Sequence, residues 1–195
     1  MSYFVDDDIE IRDMIPADAQ AITDAEIAQG WDQTVEKYER RLQDQAAGKC
    51  ISLVAEYRGA VAGYINVYFN SEWGALGGHG LPEIIDFGVL EKYRHRGIGT
   101  KLMGCAEHIA SEHADQVYLG VGLHSGYGTA QRLYAELGYV PDGSGVWYRN
   151  EVCPPYSSCC NDDDLVLYMV KEFRGKRRRE NLKAQFERYF PDGMK

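Results

Sequence analysis

Apolar positions along this chain recur with two different periods, and each change of period marks a new element. Ile9-Glu10-Ile11-Arg12 alternates as a short strand does, and Pro16-Ala17-Asp18 opens a segment in which Ala19, Ile22 and Ile27 recur at helical spacing. After Gly30, the run of Val35, Tyr38, Leu42 and Ala46 predicts a second amphipathic helix that ends near Gly48. Ile51–Tyr57 and Val61–Phe69 are rich in β-branched and aromatic residues and flank Arg58-Gly59, a hairpin signal. Asn70–Gly80 carries four glycines and predicts a loop, and Glu83–Leu90 predicts a third long strand. From Gly97 the period lengthens: Ile98, Leu102, Cys105, Ala106 and Ile109 form one helical stripe. A strand at Val117–Leu123 follows, then a helix over 128–137 with Ala130, Leu133, Tyr134 and Leu137 on one face and Gly138 as its stop. Val146–Arg149 and Leu165–Val170 read as closing strands. This order predicts an α/β fold with a central mixed β-sheet flanked by helices.

Composition narrows the picture. The 195 residues suit one domain, assigned to 1–171, with 172–195 as a basic C-terminal helical extension. Net charge is −9, but residues 171–195 carry +5, which leaves −14 on the body. An acidic body repels nucleic acid and anionic membrane and favours cationic partners. Leu182, Phe186, Tyr189 and Phe190 share one face of the extension, which suits docking on its own domain, a homodimer contact, or an anionic surface. No apolar run approaches the ~18–20 residues a membrane span needs. Acids stand at Asp6-Asp7-Asp8, where a secretory signal needs a basic end and an apolar run, so a cytoplasmic location is expected. Five cysteines with no CxxC pair then read as reduced thiols, and His108 and His113 do not share a helix face, so no metal site is expected.

The chemistry concentrates in Val89-Leu90-Glu91-Lys92-Tyr93-Arg94-His95-Arg96-Gly97-Ile98-Gly99-Thr100, between a strand and a helix. Gly97 and Gly99 let a ligand approach backbone N–H groups at the helix start, where the dipole is positive. Arg94, Arg96 and Lys101 add local positive charge, so a phosphate-bearing ligand is implied. A dinucleotide fingerprint is excluded by Leu102 at its third glycine, and no P-loop run occurs.

Arg94-x-x-Gly97-x-Gly99 after a strand ending at Val89 resembles the acetyl-CoA pyrophosphate motif of the GNAT N-acetyltransferase superfamily. Ala130 through Tyr139, with Leu133-Tyr134 and Gly138, resembles that family's later helix signature, at a matching distance. The likeness spans residues 9–171 in architecture and is specific over 83–139. It departs at Tyr127, where the family often has Asn, at Glu91, where it often has Pro, and at Tyr139, where Phe is usual.

The resemblance implies a GNAT-type fold, acetyl-CoA as co-substrate, and direct acetyl transfer to a primary amine through a ternary complex. It implies that Phe87, Gly88 and Val89 meet pantetheine and the oxyanion, that Arg94, His95, Arg96, Gly97, Ile98, Gly99 and Thr100 hold the pyrophosphate, and that Tyr127 lies near the pantetheine arm. Tyr134 is implied as general acid. A base must take the amine's proton. Glu83, six residues before Val89, is the first choice and Asp86 the second, although alternation places the two on opposite faces. Trp31, Trp73 and His79 are candidates for the acceptor pocket. A non-catalytic acyl-CoA-binding sensor is the alternative reading; it would bind the nucleotide without a working acid or base.

Overall fold

The structure, a computed structural model, describes residues 1–173. The expected basic helix therefore lies, from residue 174 onward, outside the described residues. Nine strands form one sheet: β1 (Ser2–Val5), β2 (Ile9–Asp13), β3 (Cys50–Tyr57), β4 (Ala60–Tyr68), β5 (Glu83–Val89), β6 (Gln116–Gly122), β7 (Val140–Tyr148), β8 (Glu151–Val152) and β9 (Leu165–Glu172). Among the described residues four α-helices flank it: α1 (Pro16–Ala28), α2 (Val35–Ala46), α3 (Ile98–His113) and α4 (Gly128–Glu136). The sheet order is β1-β2-β3-β4-β5-β6-β9-β7-β8. Its pairings are antiparallel except β5 with β6, which makes the sheet mixed, as the pattern predicts.

Alternation along the strands divides the core. Leu53, Ile65, Val67 and Ile84 pack against Leu102, Met103, Ala106 and Ile109 of α3. Neighbouring Val54 and Tyr64 point the other way and join Met14, which precedes α1, Ala19 and Ile22 of α1, and Tyr38 of α2. Pro16 starts α1 where its missing N–H costs nothing, and the Asp18 carboxylate accepts the Ile15 N–H at 2.7 Å.

Several expectations need correction. Ile27 does not sit on the buried face of α1; it is 54% exposed, and Thr23 and Glu26 point inward instead. Fully buried Glu26 accepts hydrogen bonds from the Tyr38 and Tyr64 hydroxyls, and these offset its polarity. β1 was not expected; the Asp6 carboxylate closes its turn to β2 by accepting the Asp8 and Ile9 N–H groups at 3.0 and 2.7 Å. β7 starts at Val140 rather than Val146, because Val140 and Pro141 pair with β9 before the register slips. β8 follows β7 through Arg149 and Asn150, both with positive φ. Cys153 and Cys159 are joined in a disulfide, where reduced thiols were expected. The Pro154–Ser157 turn brings them together, at a spacing no cysteine motif announces. β9 ends at Glu172, one residue past the expected domain boundary.

Candidate active site

β5 and β6 pair at only two positions, Glu83 with Tyr118 and Ile84 with Leu119. Beyond them the parallel strands diverge, and the β6-facing backbone of residues 85–89 has no ladder partner there. The wedge lies in the middle of the sheet, where an unpaired strand edge is a site for an extended ligand.

The chain leaves β5 through a single helical turn at Glu91–Tyr93 and enters α3 at Gly97. Gly97 has φ +75°, a conformation that favours glycine, and a Cβ on Gly99 would stand 3.2 Å from the Phe87 ring. The first turn of α3 thus lies close against β5 with its leading N–H groups unpaired within the helix. Arg94 folds back, its Nε donating to the Val89 carbonyl at 3.3 Å. His95, in a left-handed conformation at φ +61°, and Arg96 line an open groove of about 500 Å³ together with the Asp6–Asp8 turn. The Arg96 guanidinium lies 4.9 Å from the Tyr57 ring. Ile98 is buried in the core, so only its backbone is available to a ligand, while Thr100 is exposed.

α4 brings Tyr134 to the α3 side of the wedge. Its ring is 6.3 Å from Phe87 and 5.9 Å from Tyr139, and burial pushes its phenol pKa upward. Tyr127 lies over Gly122, and its hydroxyl donates to Asp163 at 2.9 Å. The same Asp163 oxygen meets His124 Nε2 at 2.9 Å, while His124 Nδ1 accepts the Gly126 N–H.

Glu83 occupies the other face. It is only 6% exposed, and burial raises its pKa to about 7 against hydrogen bonds from Ser71 and Tyr118 and the charge of Arg41, which lower it; Asp86 adds to the rise. Alternation predicted Asp86 on the opposite face from Glu83, and the structure overturns this. The β4–β5 register slips between Asn66↔Ile85 and Tyr64↔Gly88, so Asp86 and Phe87 share the place opposite Ile65. This bulge holds Asp86 at φ +48° and turns it toward α2. There Arg41 binds it at 2.6 and 2.8 Å, with Lys37 at 3.8 Å. Arg41 also donates to the Tyr68 hydroxyl, which donates to Asp44. Asp86 is therefore an anchored ion-pair partner, whereas Glu83 is a buried carboxylate poised between its two protonation states.

The three pocket candidates separate. Trp73 is 68% exposed, and it is its carbonyl that accepts from Tyr118 at 3.0 Å. Trp31 packs beside Arg94, 5.9 Å from the guanidinium, and His79 is exposed in the loop; neither is among the groups gathered around Glu83. Sequence reasoning missed Ser71, Tyr118, Arg41 and Lys37. Of these, only Tyr118 carried a signal, a tyrosine within a strand expected beside the Glu83 strand.

A mixed sheet parted at one parallel pair, with a glycine-lightened helix start at the gap, is the fold of the GNAT acetyltransferases. The model of the acetyltransferase (GNAT) family matches residues 19–139, and the chain belongs to that family. An N-alpha-acetyltransferase of Sulfurisphaera tokodaii is 37% identical over 94 residues, 44% of this chain and 54% of the relative. The match thus spans about half the length of that curated relative. Among solved structures, the Salmonella typhimurium protein yncA with its cofactor acetyl-CoA superposes at a TM-score of 0.62, with 18% identity, 87% of this chain and 96% of that one covered. A Salmonella typhimurium acetyltransferase that modifies the N-terminal serine of a ribosomal subunit protein gives 0.66, with 10% identity and coverage of 89% and 100%.

Proposed function

We propose that this chain transfers the acetyl group of acetyl-CoA directly to a primary amine within a ternary complex, with Glu83 as general base and Tyr134 as general acid. The wedge fits such a donor. Phe87, Gly88 and Val89 present unladdered backbone groups to an extended pantetheine arm. The start of α3, with Arg94, offers N–H groups and charge to a pyrophosphate. At His95, Arg96 and Ile98 the contribution is from the backbone, since two of these side chains line the neighbouring groove and the third is core. Tyr127 contributes its ring rather than its hydroxyl, which Asp163 engages.

The observation that carries the reading is Glu83: a buried carboxylate of pKa about 7 beside the wedge. Glu83 takes the proton of the attacking ammonium, the freed nitrogen lone pair adds to the thioester carbonyl, and the C–S bond breaks with its electron pair on sulfur. Tyr134 gives its proton to that sulfur and regains one from the nitrogen of the adduct, so that an amide and a free thiol are released. Because burial keeps its phenol protonated, Tyr134 can serve this role throughout the neutral range.

Magnitudes favour one class of amine. An α-amino group has pKa about 8, so proton transfer to a base near 7 is uphill by about one unit, roughly 1.4 kcal/mol. A lysine amine at about 10.4 is uphill by about 3.4 units, roughly 5 kcal/mol. The base is thus better matched to a protein or peptide N-terminus, and the N-alpha-acetyltransferase relative supports the same class. Thiol release from acetyl-CoA should be followed with peptides whose N-terminus is free or blocked and whose lysines are present or absent. A free N-terminus should suffice for turnover. Turnover that tracks lysine instead overturns the acceptor assignment, and none with any amine despite tight coenzyme A binding overturns catalysis.

A further inference from the structure

Beside Glu83, Tyr118 has one hydrogen for two acceptors, and where that hydrogen goes has consequences for the 70–80 loop. Ser71, buried at the start of that loop, accepts the Trp73 N–H on Oγ at 3.1 Å. Its own hydroxyl hydrogen has two oxygens within hydrogen-bonding reach, the Glu83 carboxylate and the Tyr118 phenol. Tyr118, fully buried and paired in register with Glu83, has two acceptors within reach: that carboxylate and the Trp73 carbonyl at 3.0 Å. A phenol carries a single hydrogen and cannot satisfy both.

Which acceptor receives it depends on charge. Hydrogen bonds to an ionised acceptor are roughly twice as strong as neutral ones, so an ionised Glu83 draws the Tyr118 hydrogen to itself. Once Glu83 is protonated, its own O–H donates to the phenol oxygen, and the Tyr118 hydrogen turns to the Trp73 carbonyl. We propose that Tyr118 is a positioning residue that ties the 70–80 loop to the sheet when Glu83 carries a proton and releases it when Glu83 is ionised. Abstraction of the acceptor's proton then fastens the loop over the site during transfer, and loss of that proton to solvent loosens it afterwards. This rests on Glu83 being the base of the proposed reaction.

The loop also lies against the sheet where Gly74 packs on the Tyr168 ring. Gly74 N–H donates to Asn150 at 2.7 Å, and Gly78 N–H donates to the Ser71 carbonyl at 2.8 Å. The other charged or titratable groups acting on Glu83 are Arg41 from α2, Asp86 on β5, Tyr168 on β9 and Tyr68 opposite it on β4. Burial raises both tyrosines well above neutral, Tyr168 to about 12. Arg41 and Asp86 form an ion pair, and loss of the carboxyl signal in Glu83→Gln is what identifies the transition as that of Glu83.

The test uses the full chain in a Trp31→Phe, Trp147→Phe, His79→Gln background, which leaves Trp73 as reporter and removes the loop's own imidazole. The carboxylic-acid carbonyl stretch of Glu83, identified by its loss in Glu83→Gln, and Trp73 emission are both followed against pH. The two should share a midpoint of about 7. Tyr118→Phe should move the carboxyl midpoint up by roughly one to two pH units, as expected for loss of a donor to a charged group, and Trp73 emission should cease to follow it. Ser71→Ala should raise the carboxyl midpoint while emission still follows it, which decides the matter if Tyr118→Phe fails to fold. Emission that tracks the carboxyl in Tyr118→Phe, or ignores it in the parent or in Ser71→Ala, overturns the coupling. Undiminished turnover in Glu83→Gln would instead overturn the base assignment and leave the optical result standing.

Discussion

Replacing Glu83 with Gln should inactivate the protein and also stabilise it, by an amount that depends on pH. Glu83 is almost fully buried, and its pKa rises from 4.5 to about 7 on folding. A carboxyl whose folded pKa is raised binds its proton more tightly in the native state. The resulting stability is fully present below about 4.5 and is lost as pH rises through about 7. Above that point the native state holds an ionised carboxylate that water would solvate better. A shift of about 2.5 units, at 1.36 kcal/mol each, puts the cost at about 3 kcal/mol. Glutamine keeps the shape and can still accept hydrogen bonds from Ser71 and Tyr118, but it never ionises. Urea unfolding of both proteins at about pH 4, 6 and 8 should show near-equal stability at the lowest pH. At the highest, Glu83→Gln should be ahead by about 3 kcal/mol. The same substitution should abolish acetyl transfer, and wild-type turnover should fall about tenfold per unit below pH 7 as the base becomes protonated. A stability difference that does not change with pH, or a variant that is weaker at high pH, would refute the account of Glu83 as a desolvated carboxylate.

Tyr134→Phe should lower turnover by about 10²–10⁴-fold while calorimetry shows coenzyme A binding unchanged; full activity would remove the phenol from the leaving-group step. Asp86→Asn keeps a residue that tolerates the φ of +48° but removes the charge that helps raise Glu83 and frees Arg41 to act on it. The acid limb of the pH–rate profile should therefore move below about 7; an upward move would reverse the sign assigned to this pair. Glu26→Ala leaves the buried Tyr38 and Tyr64 hydroxyls without their shared acceptor and should cost about 2–6 kcal/mol in chemical denaturation. A loss below about 1 kcal/mol would show that these phenols find other partners.

Much of the fold was legible because burial leaves a periodic trace. The spacing of Ile98, Leu102, Ala106 and Ile109 makes α3, the β-rich runs on either side of Arg58-Gly59 make the central hairpin, and Arg94-x-x-Gly97-x-Gly99 marks the turn between strand and helix. These are local features, set by backbone geometry and by which residues tolerate it. Short edge elements were harder to read: β1 and β8 exist because a turn closes on itself and an existing edge accepts them, neither of which has a period. The buried face of α1 was misread at Ile27 for a related reason, since Glu26 turns inward only because its two tyrosines arrive from other elements.

The candidate site divides in the same way. Sequence alone determined that a glycine-rich, basic helix start follows a strand, and the family resemblance pointed to Glu83 and Tyr134, because those residues lie close in the chain or in a recognisable spacing. Only the tertiary structure separated the surroundings of Glu83 from those of Asp86. One extra residue in β5 turned Asp86 toward Arg41, which stands 45 positions away in the chain, and packing against Tyr118 and Ser71 took Glu83 out of water. Charge is written in the sequence, but the dielectric around it and the partners that neutralise it depend on contacts between distant segments, and those are made only when the sheet assembles.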